Sequence, residues 1–130
     1  ERAFGVFQGL TFAEIETRWP EQALRWRKRE PEFGPEGGES LRDFYERCVG
    51  AVTRIAAAHP GQSIAVVAHG GVLDALYRIA TGQEVNSPRT WQLPNGAINR
   101  LLAHSKLNAQ PVTLEIGSSV GTISAPRGSA

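Results

Sequence analysis

The chain has 130 residues, 41% of them hydrophobic and 21% charged, with a formal net charge of +1. That length allows one domain with one core, and the near-neutral balance gives no electrostatic case for nucleic acid or an anionic membrane as main partner. No apolar run approaches the roughly 20 residues that span a bilayer, and the single cysteine, Cys48, cannot form an internal disulfide, which fits a reducing cytoplasm.

Along the chain, Phe4-Gly5-Val6-Phe7-Gln8-Gly9-Leu10 reads as a glycine-punctuated loop carrying two aromatics. Thr11 and Glu14 make a capping-box pattern, and Phe12, Ile15 and Trp19 predict a short amphipathic helix that Pro20 ends. Residues 21–29 read as a basic helix, with Arg25, Arg27, Lys28 and Arg29 set among Leu24 and Trp26. Its plain reading is a solvated face; the other is a basic wall over an anionic substrate. Pro31, Gly34, Pro35, Gly37 and Gly38 predict a loop long enough to line a site or act as a lid. Ser40, with Asp43 three residues later, starts the next helix. Leu41, Phe44, Cys48, Val52 and Ile55 recur at helical spacing, which predicts a helix packed on a sheet with Cys48 buried as an inert thiol.

Pro60-Gly61 turns the chain into Ser63–Ala68, uncharged and mostly small or β-branched, which predicts a strand buried on both faces of a parallel sheet. That run stops at His69-Gly70-Gly71. Open α/β sheets bind ligands at the carboxyl ends of their strands, and the two glycines let backbone N–H groups approach an anion at the start of the next helix. The alternative is a histidine packed under a loop. Val72, Leu73, Leu76, Tyr77 and Ile79 predict that helix, closed by Gly82. After a polar loop with Pro88 and Pro94, residues 97–102 alternate as a strand, and Val112–Ile116 reads as one more. From Gly117 onward a Gly-, Ser- and Ala-rich stretch without periodicity predicts a disordered tail. Alternating helices and strands predict an α/β fold with crossovers.

Four motifs occur in order: Glu1-Arg2-Ala3-Phe4-Gly5-Val6-Phe7-Gln8-Gly9, Gly38-Glu39-Ser40-Leu41, Val67-Ala68-His69-Gly70-Gly71 and Leu93-Pro94-Asn95-Gly96-Ala97-Ile98-Asn99. Together they resemble the histidine phosphatase superfamily, the phosphoglycerate mutase-like group. The resemblance implies a three-layer α/β/α sandwich on a mostly parallel sheet, and phosphoryl transfer through a phosphohistidine. It implies His69 as the second active-site histidine, bonded to the transferring phosphoryl oxygens. It implies Glu1 as the general acid/base, which protonates the leaving oxygen and then activates water. Gly70 would offer its N–H to the phosphate. Ser40 reads as an N-cap and, by the Gly-Glu-Ser motif, also as a residue beside the site.

In the family the nucleophile comes from an Arg-His-Gly motif on the first strand, and that motif is absent from this sequence. Neither His59 nor His104 matches it. The chain has no methionine to serve as an initiator, so it is expected to be incomplete at the N-terminus, with a partial domain over 1–116 and a tail over 117–130. No cofactor and no metal are expected. Mutases of the family carry a tyrosine where Phe4 stands and a lysine where Phe12 stands, with a longer, arginine-paired segment before Gly-Glu-Ser. The compact form is more similar to the phosphomonoesterase branch, including α-ribazole phosphatase-like proteins. The expected partner is therefore a small phosphorylated metabolite, with phosphoglycerate mutase as the alternative. A non-catalytic phosphate-binding or interaction module is the rival of another class. An open sheet edge in such a piece predicts poor stability and association, including homo-oligomers.

Overall fold

The computed structural model describes residues 1–94, 96, 98–104 and 113–118. Helix α1, Phe12–Arg18, begins with the capping box that its sequence predicts: the Glu14 N–H donates to the Thr11 hydroxyl, and the Thr11 N–H donates to Glu14 Oε2 at 2.8 Å. Pro20 ends this helix and also opens the next, α2, Pro20–Arg27. At the first helical position its missing N–H is no loss. The glycine-punctuated opening is a single 3₁₀ turn over Gly5–Phe7, and it drives Phe7 into the core at 3% exposure. Phe7, Ile15, Ala23 and Phe33 form that core. The Trp19 and Trp26 rings close over it, 5.5 and 5.6 Å from the Phe7 ring.

The basic run on α2 divides. Arg25 lies over the Phe33 ring and pairs with Glu30, and Arg27 lies over Phe12 and pairs with Glu16. These two are the solvated face. Arg29 corrects that reading: its φ of 54° turns it inward, where its guanidinium meets Asp74 at 3.3 Å and the Val85 carbonyl at 3.0 Å. Each of the three arginines faces a carboxylate.

Helix α3, Leu41–Ala58, starts at Ser40, whose hydroxyl accepts from the Asp43 N–H at 3.0 Å and donates to Asp43 Oδ2 at 2.7 Å. Among the described residues its apolar face lies on no sheet, contrary to the pattern's prediction. It packs on α4, Gly70–Thr81, where Phe44, Cys48 and Ala75 make a second small core with Tyr45 and Val72. Burial raises the Cys48 thiol above its ordinary pKa, the direction of an unreactive cysteine. Gly82, left-handed at φ 67°, ends α4.

The predicted strand Ser63–Ala68 is the main correction to the expected fold. The segment joins no ladder, and Ile64, Val66 and Val67 are 46%, 49% and 100% exposed. A strand draws its hydrogen bonds from neighbouring strands, and none lies beside it among the described residues. The sheet that is described is an antiparallel pair, not a parallel layer: β1, Asn99–His104, runs against β2, Thr113–Ser118, with Asn99 opposite Ser118. β2 carries the chain two residues past the expected start of the tail at Gly117; residues 119–130 lie outside the described residues. So do Asn95 and Ala97 of the fourth motif. No helix among the described residues is long and apolar enough to cross a membrane.

Candidate active site

Two segments far apart in sequence meet edge to edge at the start of the chain. Phe4 and Gly38 form an isolated antiparallel bridge, and the Glu39 N–H donates to the Ala3 carbonyl at 3.0 Å. The approach is so close that a Cβ on Gly38 would sit 2.8 Å from the Ala3 carbonyl oxygen. One on Gly5, at φ 51°, would sit 2.1 Å from that of Glu36. Both glycines are therefore dictated by backbone contact.

This contact holds the first motif against the second and carries Glu1 to the amino end of α4. There Glu1 Oε2 lies 3.9 Å from His69 Nδ1. His69 is the N-cap residue of α4, with extended backbone at φ −84° and ψ 159°, and its ring makes no capping bond. Its carbonyl accepts from the Val72 and Leu73 N–H groups, so helix formation uses the backbone of His69 and leaves the imidazole free. Both side chains are open to solvent, at 65% for His69 and 55% for Glu1. A carboxyl group, an imidazole and the positive end of a helix thus share one exposed corner. That set can bind an oxyanion and move a proton beside it.

The other expected site residues divide. Gly70 opens α4 next to His69, and a Cβ built there meets nothing within 4 Å, so the space in front of it is open. Gly71 is different: its Cβ would touch the Phe44 ring at 3.4 Å, so this glycine serves helix packing rather than approach to an anion. Ser40 caps α3 and bonds neither Glu1 nor His69. Among the described residues no cluster of three or more His, Cys, Asp or Glu side chains could hold a metal ion.

Sequence reasoning missed three residues here. Arg2 donates to the Glu39 carbonyl at 2.9 Å and to the Phe33 carbonyl at 3.1 Å, with its guanidinium 4.2 Å over the Trp26 ring. Burial lowers its pKa to about 10, against the pull of Glu39, so it stays cationic at neutral pH. Glu39 Oε2 accepts from the Ala3 N–H at 2.9 Å, and Arg47 grips the Glu39 carboxylate with Nε at 2.6 Å and Nη2 at 2.8 Å. Arg47 holds the Glu39 carboxyl below its ordinary pKa, chiefly through these bonds. An acid with a depressed folded value contributes stability that is complete above its unfolded pKa and is lost as pH falls through the folded one. The ion pair therefore persists through neutral pH and opens only in acid. Glu39 was in plain view beside Ser40 in the second motif; nothing local marks Arg47.

The family model of the histidine phosphatase superfamily (branch 1) matches residues 1–110. This chain belongs to that superfamily. Over 81 residues it is 41% identical to a phosphoglycerate mutase-like protein 4 of Arabidopsis thaliana, covering 62% of this chain and 35% of that one. It is 29% identical to a glucosyl-3-phosphoglycerate phosphatase of Mycolicibacterium vanbaalenii, over 85% of this chain and 52% of the relative. It is 30% identical to a 2,3-bisphosphoglycerate-dependent phosphoglycerate mutase of Beijerinckia indica, over 90% and 58%. Among solved structures it is similar to a mycobacterial hydrolase 1, with a TM-score of 0.69 and 28% identity over 96% of this chain and 62% of that one. The α/β fold class of the superfamily is thus shared, and the chain spans about a third to somewhat over half of these relatives.

Proposed function

We propose that this chain is the acid/base and phosphate-orienting part of a phosphomonoesterase acting through a phosphohistidine on a small phosphorylated metabolite. The observation that carries the reading is the approach of Glu1 to His69 at 3.9 Å, at the amino end of α4. In this reading the phosphoryl group passes to a histidine nitrogen supplied by an Arg-His-Gly segment, as the P–O bond to the leaving alcohol breaks. Glu1 gives that alcohol oxygen its proton, while His69 and the Gly70 N–H stabilise the charge on the phosphoryl oxygens. Water then attacks phosphorus, loses a proton to Glu1 and releases phosphate from the histidine. Ser63–Ala68 joins the parallel sheet of a three-layer sandwich once it has a neighbour, and a reduced Cys48 suits the cytoplasm.

The side chains at the two mutase-distinguishing positions favour a phosphatase over a mutase. The Phe4 ring packs 5.6 Å from Trp26, and Phe12 lies under Arg27. Both are spent on packing and offer no polar group to a phosphoglycerate. Hydrolysis of an aryl phosphate tests the proposal. The 130 residues alone, lacking Arg-His-Gly, are expected to give no turnover. The protein as encoded in full is expected to turn over and to lose about 10²- to 10⁴-fold on Glu1→Gln. Turnover by the 130 residues at the rate of an intact relative overturns the need for that segment. An inactive full protein that still binds phosphate leaves the non-catalytic module as the answer.

The exposed Ile64, Val66 and Val67 also carry an expectation for the isolated chain. An unpaired apolar segment is a template for another strand, so the 130 residues are expected to self-associate in sedimentation velocity, less so after Val67→Lys. A monomer with a cooperative transition above roughly 60 °C, high for a mesophilic domain, would contradict this.

A further inference from the structure

Glu1 presents a carboxylate that is 55% exposed, with His69 Nδ1 3.9 Å from its Oε2. Among the described residues no hydrogen bond anchors its side chain, so the backbone of residues 1–3 sets where the carboxylate is carried. That backbone is held from one direction. The Glu39 N–H donates to the Ala3 carbonyl, and the Ala3 N–H donates back to Glu39 Oε2 at 2.9 Å. Arg47 Nη2 donates both to Glu39 Oε2 at 2.8 Å and to the Glu1 carbonyl at 2.9 Å, while its Nε holds Glu39 Oε1. One guanidinium therefore joins the Glu39 carboxylate to the peptide group of the acid/base residue. The planar fork of arginine can make these bonds at once; a lysine ammonium lacks that geometry.

We infer that Arg47 and Glu39 are positioning residues that hold the Glu1 carboxyl at the reacting oxygen opposite His69. The inference rests on the proposed acid/base role of Glu1. Arg47 lies on α3, half exposed, with its guanidinium 5.4 Å over the Phe44 ring at the rim of the second core, so a loss of packing would weaken turnover of every ester alike. The pair acts on Glu1 through its backbone, and its loss lets the carboxyl drift. A misplacement of about 1 Å in a reacting group costs about 100-fold in rate.

The leaving group separates positioning from general support. A poor leaving group such as an alkyl alcohol must receive a proton as the P–O bond breaks, whereas dinitrophenolate leaves without one. On the protein as encoded in full, Arg47→Ala is expected to lower kcat/KM for an alkyl phosphate about 30- to 100-fold, and for dinitrophenyl phosphate by no more than about threefold. Arg47→Lys is expected to recover only part of the alkyl loss. In a Glu1→Gln background Arg47→Ala should add almost nothing, because the group it positions is gone. Equal losses on both esters, or a full added loss in the Glu1→Gln background, overturn the positioning role while the function stands. Unchanged alkyl turnover after Glu1→Gln overturns the acid/base role of Glu1 itself, and the positioning role with it. A wild-type protein inactive on both esters overturns the enzyme reading.

Discussion

Replacing His69 with alanine is expected to lower the turnover of the full protein about 10²- to 10³-fold and to leave its melting temperature nearly unchanged. The size is that of removing one donor aimed at charge that develops in the transition state, about 3–4 kcal/mol. The fold is spared because the imidazole is 65% exposed and makes no capping bond, while the helix is started by the His69 carbonyl, which alanine also provides. A histidine packed under a loop would give the opposite pattern, with lost stability and normal turnover in the folded fraction. Thermal unfolding and steady-state kinetics on the one variant separate the two. A fall in melting temperature with turnover intact would reject His69 as a catalytic group.

The largest expected effect on stability lies one turn further along α4. Asp74 Oδ2 accepts from Arg78 Nε at 2.9 Å and from Arg29 Nη2 at 3.3 Å. Arg78 is 1% exposed, donates through Nη1 to the Glu84 carbonyl and Ser87 hydroxyl, and lies 4.7 Å over the Trp91 ring. Asp74→Ala would leave two guanidinium groups, one fully buried and one half-buried, without their counterion. Breaking a buried pair in this way costs about 3–5 kcal/mol, a large part of a domain's net 5–15 kcal/mol or so. The midpoint of thermal unfolding is expected to fall by roughly 10–20 °C for a chain of this size. Asp74→Asn, which keeps an acceptor for Arg78, should lose less. A fall of only a degree or two for Asp74→Ala would show that water reaches Arg78 and that the pair contributes little.

These two residues illustrate different degrees of legibility. His69 was visible from sequence because its signal is local: an apolar run, the histidine and two glycines in succession. Asp74 and Arg78 lie on a helix that the sequence also predicted, but their pairing with Arg29 was not visible. Arg29 is 45 residues from Asp74 and reaches it only because its own backbone turns left-handed after α2. The caps at Thr11 and Ser40 and the stop at Gly82 were likewise local and came out as read.

By itself, then, the sequence determined helices, caps, turns and the motif that places His69 before α4. Each of these needs only residues a few positions apart, whose spacing is set by the helix repeat or by backbone sterics. Tertiary structure decided which arginine turns inward, that α3 packs on α4, and that Glu39 grips the backbone of Ala3 and Arg47 that of Glu1, across 36 and 46 residues. It also decided the fate of Ser63–Ala68, which has the composition of a strand but no partner among the described residues. Side-chain pattern can favour an extended backbone, but a strand's hydrogen bonds lie between chains of residues rather than within one, so only a neighbour in space completes it.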